Sequence, residues 1–130
     1  MNYREALAAL KANKLPEILL IYGEETYLRD DLITKILQHY VEPGMEDMDI
    51  SRLDGQSLKE IELMTALQSV ALFSEKRVVL INDAQKLDLS SGLVDRLQQG
   101  FPQGLLLLLP SGKDGSFRKL KSIATSVECK

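Results

Sequence analysis

Three short runs in this chain, Ile18–Tyr22, Val78–Ile81 and Leu105–Leu109, are apolar from end to end. A strand with no polar residue has no face to give to water. Such strands belong to parallel sheets covered by helices on both sides. Helical patterns fill the gaps between the runs, so the order of elements also argues for an α/β architecture. The leucine block at Leu105–Leu109 is far too short to cross a bilayer, which takes ~20 residues. At 130 residues the chain fits a single domain, 1–130. The 45% hydrophobic content supplies a real core, built on aliphatic residues because Trp is absent.

The helical segments carry their own signals. Asn2–Asn13 reads as a short amphipathic helix with Ala6, Leu7 and Leu10 on one side. From Thr26, a good N-cap residue, Leu28, Leu32, Ile36 and Tyr40 recur at every fourth position and predict a buried stripe that Pro43-Gly44 ends. Met48–Leu53 alternates apolar and polar residues, as a half-exposed edge strand does. Ser57 and Glu60 fit a capping box for a helix from Leu58 to about Ser69 that buries Ile61, Met64 and Leu67. Ser90-Ser91 can cap a helix through Gln99 that buries Leu93, Val94 and Leu97. Phe117–Thr125 makes a last short helix, and Val127-Glu128-Cys129 opens a fifth strand. Because the chain stops there, a fragment of a longer protein is expected.

The strand-turn-helix at Ile18–Leu37 has the shape of a phosphate-binding unit, but its residues are wrong for phosphate. A P-loop needs Gly-x-x-x-x-Gly-Lys-[Ser/Thr], so that backbone N–H groups, a Lys and a hydroxyl can hold phosphate and Mg²⁺. Counting from Gly23 puts Leu28 at the second Gly, Arg29 at the Lys and Asp30 at the hydroxyl. Glu24 and Glu25 place negative charge where phosphate would sit. The fold expected is therefore an α/β, P-loop-type parallel sheet flanked by helices, without a functional P-loop and without a cofactor. A degenerate nucleotide hydrolase is the enzymatic alternative.

Other candidates are weaker. Asp83 ends the third strand, where a Walker-B or phospho-acceptor carboxylate would stand, but a turn residue explains it as well. A receiver-like switch would use Glu24 and Glu25 for Mg²⁺, Asp83 as acceptor and Ser111 on the next strand. Lys113, Arg118, Lys119 and Lys121 form a small basic cluster that could touch DNA or merely solvate a helix. The net charge of −3 argues against a broadly basic nucleic-acid binder. His39 has no nucleophile near it, and Cys129 has no metal-spaced partner. One cysteine and no secretory leader pattern make the cytoplasm the expected compartment.

Leu72 and Phe73 are adjacent, between polar borders at Gln68-Ser69 and Ser74-Glu75-Lys76. Successive helical residues point ~100° apart, so both rarely share one buried stripe. Either Leu72 tucks beneath the sheet and Phe73 closes the core, or the pair stands on an exposed turn as an anchor for a partner's pocket. Residue type alone slightly favours the interior.

Several patterns, in order along the chain, resemble one family. They are Ile18–Glu25 with its Gly-Glu-Glu turn, Leu28, Leu53-Asp54-Gly55, the block Leu72-Phe73-Ser74-Glu75-Lys76-Arg77-Val78-Val79, and Val127-Glu128-Cys129. Together they resemble the N-terminal domain of the delta subunit of bacterial DNA polymerase III, a clamp-loader component. The resemblance implies an AAA+-like domain that has lost ATP binding. It also implies that the domain grips the ring-shaped sliding clamp (the beta subunit) and loosens one ring interface. By motif, Leu72 and Phe73 are the plug for the clamp's apolar pocket, with Ala71 and Ser74 as flanks. Lys76 and Arg77 either steer toward an acidic rim or, for Arg77, open the strand. Assembly with the other loader subunits is expected through regions absent from this chain, DNA contact is expected in the full complex, and no membrane partner is implied.

Overall fold

A computed structural model describes residues 1–130 as a five-stranded, wholly parallel sheet of order β2-β3-β4-β1-β5. In chain order the elements are α1 (Tyr3–Lys11), β1 (Ile18–Tyr22), α2 (Thr26–Tyr40), α3 (Glu46–Asp49), β2 (Ile50–Asp54), α4 (Glu60–Gln68), β3 (Arg77–Asn82), a 3₁₀ turn (Ala84–Lys86), α5 (Ser91–Gln98), β4 (Gly104–Leu109), α6 (Phe117–Ile123) and β5 (Thr125–Glu128). The three apolar runs are the three central strands. Side chains alternate across a strand, so each run feeds two cores at once. Leu20, Val79, Ile81, Leu106 and Leu108 pack against Leu63 and Leu67 of α4, Leu93 and Leu97 of α5, and Leu120 of α6. Leu19, Ile21, Val78, Leu80 and Leu107 pack on the other face against Ala6 and Leu10 of α1 and Leu32, Ile36 and Tyr40 of α2. No helix is long and apolar enough to cross a membrane.

Three sequence expectations need correction. Residues Met48 and Asp49 are not strand: they close the short helix α3, and the edge strand begins at Ile50. The reason is Asp49, which is fully buried and bonded to a distant loop, so the alternation that placed it on a solvent face fails there. Second, α4 starts two residues later than the Ser57–Glu60 box allows. The Asp54 carboxylate takes the Gln56 N–H at 2.9 Å and the Asp54 carbonyl takes the Ser57 N–H at 3.2 Å, so these residues form a turn after β2. Glu62, not Glu60, reaches back to the first N–H, that of Lys59, at 3.1 Å, while Glu60 accepts from the Ser90 hydroxyl at 2.9 Å. Ile61 is consequently 70% exposed, on the side of α4 opposite buried Leu63. Third, Thr26 is the first residue of α2 rather than its cap, and Glu25 before it makes no side-chain capping bond. Ser90 caps α5 as its spacing suggests, accepting from the Leu93 N–H at 3.1 Å.

Leu107→Ala, at a fully buried position in the central strand, is expected to cost about 2–5 kcal/mol by chemical denaturation. Ile61→Ala in the same assay is expected to change stability by no more than about 0.5 kcal/mol.

Candidate functional site

The turn after β1 sits at the carboxyl ends of β1, β4 and β5, where α/β sheets place their ligands. A cleft of ≈ 400 Å³ opens there, lined by Gly23, Glu24, Glu25 and Arg29 from the turn and α2 and by Lys113 and Glu128 from the facing loop and strand. Asp30 is turned away and lines a smaller crevice beside Asn82 and Asp83. The structure thus brings four of the five residues of the degenerate nucleotide site together. Gly23 has φ +134°, and a Cβ there would lie 2.0 Å from the Cys129 carbonyl oxygen. Its neighbour Glu25 donates its N–H to that same carbonyl at 3.2 Å, and Cys129 donates to the Tyr22 carbonyl at 2.7 Å. Glycine is therefore required here for the close passage of the chain after β5. The N–H of Glu25 is spent on that chain. Two exposed carboxylates, Glu24 and Glu25, stand at the mouth.

The other candidates separate. Asp83 occupies the left-handed region, φ +52°, as the turn into the 3₁₀ segment. Ser111 is held by buried Gln85, whose amide donates to the hydroxyl at 2.8 Å and accepts from the Ser111 N–H at 3.0 Å. Glu24, Glu25 and Asp83 form no group that could hold a metal ion, so the geometry a receiver-like switch needs is not assembled. In the basic cluster, Lys113 and Lys121 lie 5.5 Å and 5.8 Å from the Tyr22 ring centroid, whereas Arg118 and Lys119 are exposed on α6. His39 is exposed and packs edge-on against Tyr40, and Cys129 is fully buried.

The segment from Ser69 to Lys76 leads from α4 into β3 without regular secondary structure. At its tip Leu72 is 64% exposed and Phe73 is 57% exposed, with Ala71 and Ser74 half-buried beside them. The interior alternative for this pair is thereby set aside. The backbone explains the exposure. Asp49 Oδ1 accepts from the Leu72 N–H at 2.9 Å, and Oδ2 accepts from the Phe73 N–H at 3.1 Å. The Ser74 hydroxyl accepts from the Glu42 N–H at 2.8 Å, just past α2. Consecutive N–H groups aimed at one anion make the backbone concave on that side.

Arg77 opens β3 and is committed to structure. Its guanidinium donates to the Met48 carbonyl and to the Ser51 hydroxyl, on either side of Asp49. Lys76 lies over the Tyr40 ring, 5.4 Å from its centroid. Sequence reasoning missed Asp49. An acidic run, Glu46-Asp47-Met48-Asp49, holds it, and nothing local distinguishes it from its solvated neighbours.

Burial alone would raise the Asp49 pKa. The hydrogen bonds from the Ser74 side chain and from the Leu72, Phe73 and Ser74 N–H groups outweigh burial and hold the carboxyl below the usual range. A depressed folded-state pKa stabilises above the unfolded value and loses that contribution as pH falls through the folded one. The Leu72 and Phe73 amide resonances are therefore expected to titrate together in an NMR experiment, with a midpoint below that of an ordinary aspartate. A midpoint above the ordinary aspartate value contradicts this assignment.

A sequence model of the family described as DNA polymerase III, delta subunit, matches residues 19–130. No curated protein matches the chain. Among solved structures, the Bacillus subtilis DNA clamp loader delta protein YqeN superposes with a TM-score of 0.76 at 21% identity, over 97% of this chain and 42% of that one. A DNA polymerase III gamma subunit-related protein from Thermotoga maritima superposes with a TM-score of 0.70 at 13% identity, over 96% of this chain and 45% of that one. The chain thus spans less than half the length of either structure. At these identities the superpositions show the fold alone, a parallel α/β sheet flanked by helices. Sheet, turn and family match converge: the chain belongs to the DNA polymerase III delta subunit family.

Proposed function

We infer that this domain is the clamp-gripping, non-catalytic domain of a clamp-loader delta subunit, and that Leu72 and Phe73 are the plug it inserts into an apolar pocket of the sliding clamp. One observation carries the reading: two large apolar neighbours stand 64% and 57% exposed on a loop whose backbone is held by a buried carboxylate. Exposed apolar side chains of this size next to each other fit an anchor for a partner better than a solvated turn. Fully burying such a side chain is worth about 1.5–3 kcal/mol, so the pair supplies enough free energy to anchor a complex. The same grip favours an opened ring only to the extent that the open state is bound more tightly than the closed one.

Arg29 and Asp30 stand in place of the phosphate-binding Lys and the Mg²⁺-binding hydroxyl, and Glu24 and Glu25 face the cleft. This supports a division of labour in which ATP is hydrolysed by other loader subunits. Residues 1–130 would then be the N-terminal part of a longer subunit, which joins its partners and approaches DNA through its remaining regions, in the cytoplasm at the replisome. The coverage of 42% of the delta structure agrees with that.

The double variant Leu72→Ala/Phe73→Ala is expected to melt like the parent and to bind the clamp about 100-fold more weakly, as measured by calorimetry. A folded double variant with parental affinity ends the plug reading. ATP with Mg²⁺ is expected to leave the melting temperature unchanged, and a saturable rise with ATP concentration would restore nucleotide binding to this turn.

A further inference from the structure

The Leu72-Phe73 tip belongs to no helix or strand, yet the N–H groups of both residues donate to one buried side chain. We propose that Asp49 is the positioning residue of the clamp-binding plug, holding Leu72 and Phe73 in their docking conformation before the clamp arrives. This rests on the reading of the plug given above and supplies its cause.

The carboxylate is well placed for that role. Asp49 is the last residue of α3 and is followed at once by β2, whose register against β3 is fixed from Ile50↔Val78 to Asp54↔Asn82. Arg77 clamps both flanks of Asp49 through the Met48 carbonyl and the Ser51 hydroxyl. The carboxylate is therefore fixed relative to the sheet, and it fixes the loop in turn. Ser74 gives the loop a second mooring on the Glu42 N–H. With their N–H groups turned inward, Leu72 and Phe73 project outward. A loop without this anchor would sample many conformations, and affinity falls in proportion to the fraction that can dock. Asp49 is fully buried, so it positions the contact without making it.

Asp49→Asn keeps the shape but sets an NH₂ donor against backbone donors. In the intact protein it is expected to weaken binding to the cognate clamp about 10- to 100-fold, as the docking-competent fraction drops to roughly 1–10%. Amide hydrogen exchange is expected to quicken at Leu72–Ser74 and to stay unchanged in the central strands. In the Leu72→Ala/Phe73→Ala background the same change is expected to cost about threefold or less, because both side chains it positions are already gone. A general loss of structure would instead quicken exchange throughout and add its full cost in both backgrounds. Parental affinity in a folded Asp49→Asn protein, or full additivity with Leu72→Ala/Phe73→Ala, overturns the positioning role while leaving the plug intact. Parental affinity in the Leu72→Ala/Phe73→Ala protein strikes the plug reading itself. Should Asp49→Asn fail to fold, Ser74→Ala removes the hydroxyl by which the loop held by Asp49 is also moored to the Glu42 N–H. A loss of about threefold to tenfold there supports the inference, and parental affinity overturns it.

Discussion

A carboxylate with two oxygens, taken out of water, has to find donors or lose its charge. Asp49 finds them in the backbone of a loop more than twenty residues further along the chain. This one requirement orders the surroundings. It ends α3 early, leaves Ile50 to start the edge strand, and turns the Leu72–Ser74 backbone inward. Two large side chains are then left in solvent where a hydrophobic core alone would have drawn them in. Arg77 and Ser74 reinforce the arrangement from the strand and from the end of α2. The energetic logic joins two opposite tendencies. A buried charge is stable only when its partners stay in place, and an exposed apolar pair is useful only when it is held still.

In the proposed function the sheet beneath serves as a scaffold rather than as a nucleotide site. Its strand-turn-helix and its cleft at the carboxyl ends of the strands have the layout of a nucleotide site. The details oppose phosphate. The chain after β5 presses against Gly23 and takes the N–H of Glu25, and acidic side chains stand at the opening. In the proposed function, output has moved from that cleft to the loop between α4 and β3. Both features hang on the same parallel strands, which keep their geometry because each contributes to a core on either face.

What the sequence made legible follows from range. Ile18–Tyr22, Val78–Ile81 and Leu105–Leu109 identify themselves because burial on both faces leaves only apolar residues. Ser90 identifies itself because capping is a contact over three residues. The Leu72-Phe73 pair was legible as an anomaly, though residue type leaned toward the interior. Asp49 was not legible, since its partners lie 23 and 24 residues away and its acidic neighbours look the same. The start of α4 was misread because the Asp54 carbonyl takes the Ser57 N–H that the Glu60 side chain would have needed. At Asp49 local rules failed because long-range hydrogen bonds overruled them.

A structure of the protein bound to a sliding clamp tests the proposed function most directly. The account predicts Leu72 and Phe73 seated together in an apolar pocket of the ring, with the Asp49 bonds to the Leu72 and Phe73 N–H groups unchanged from the free protein. A complex in which both side chains remain in solvent, or in which the loop docks only after leaving Asp49, would contradict it.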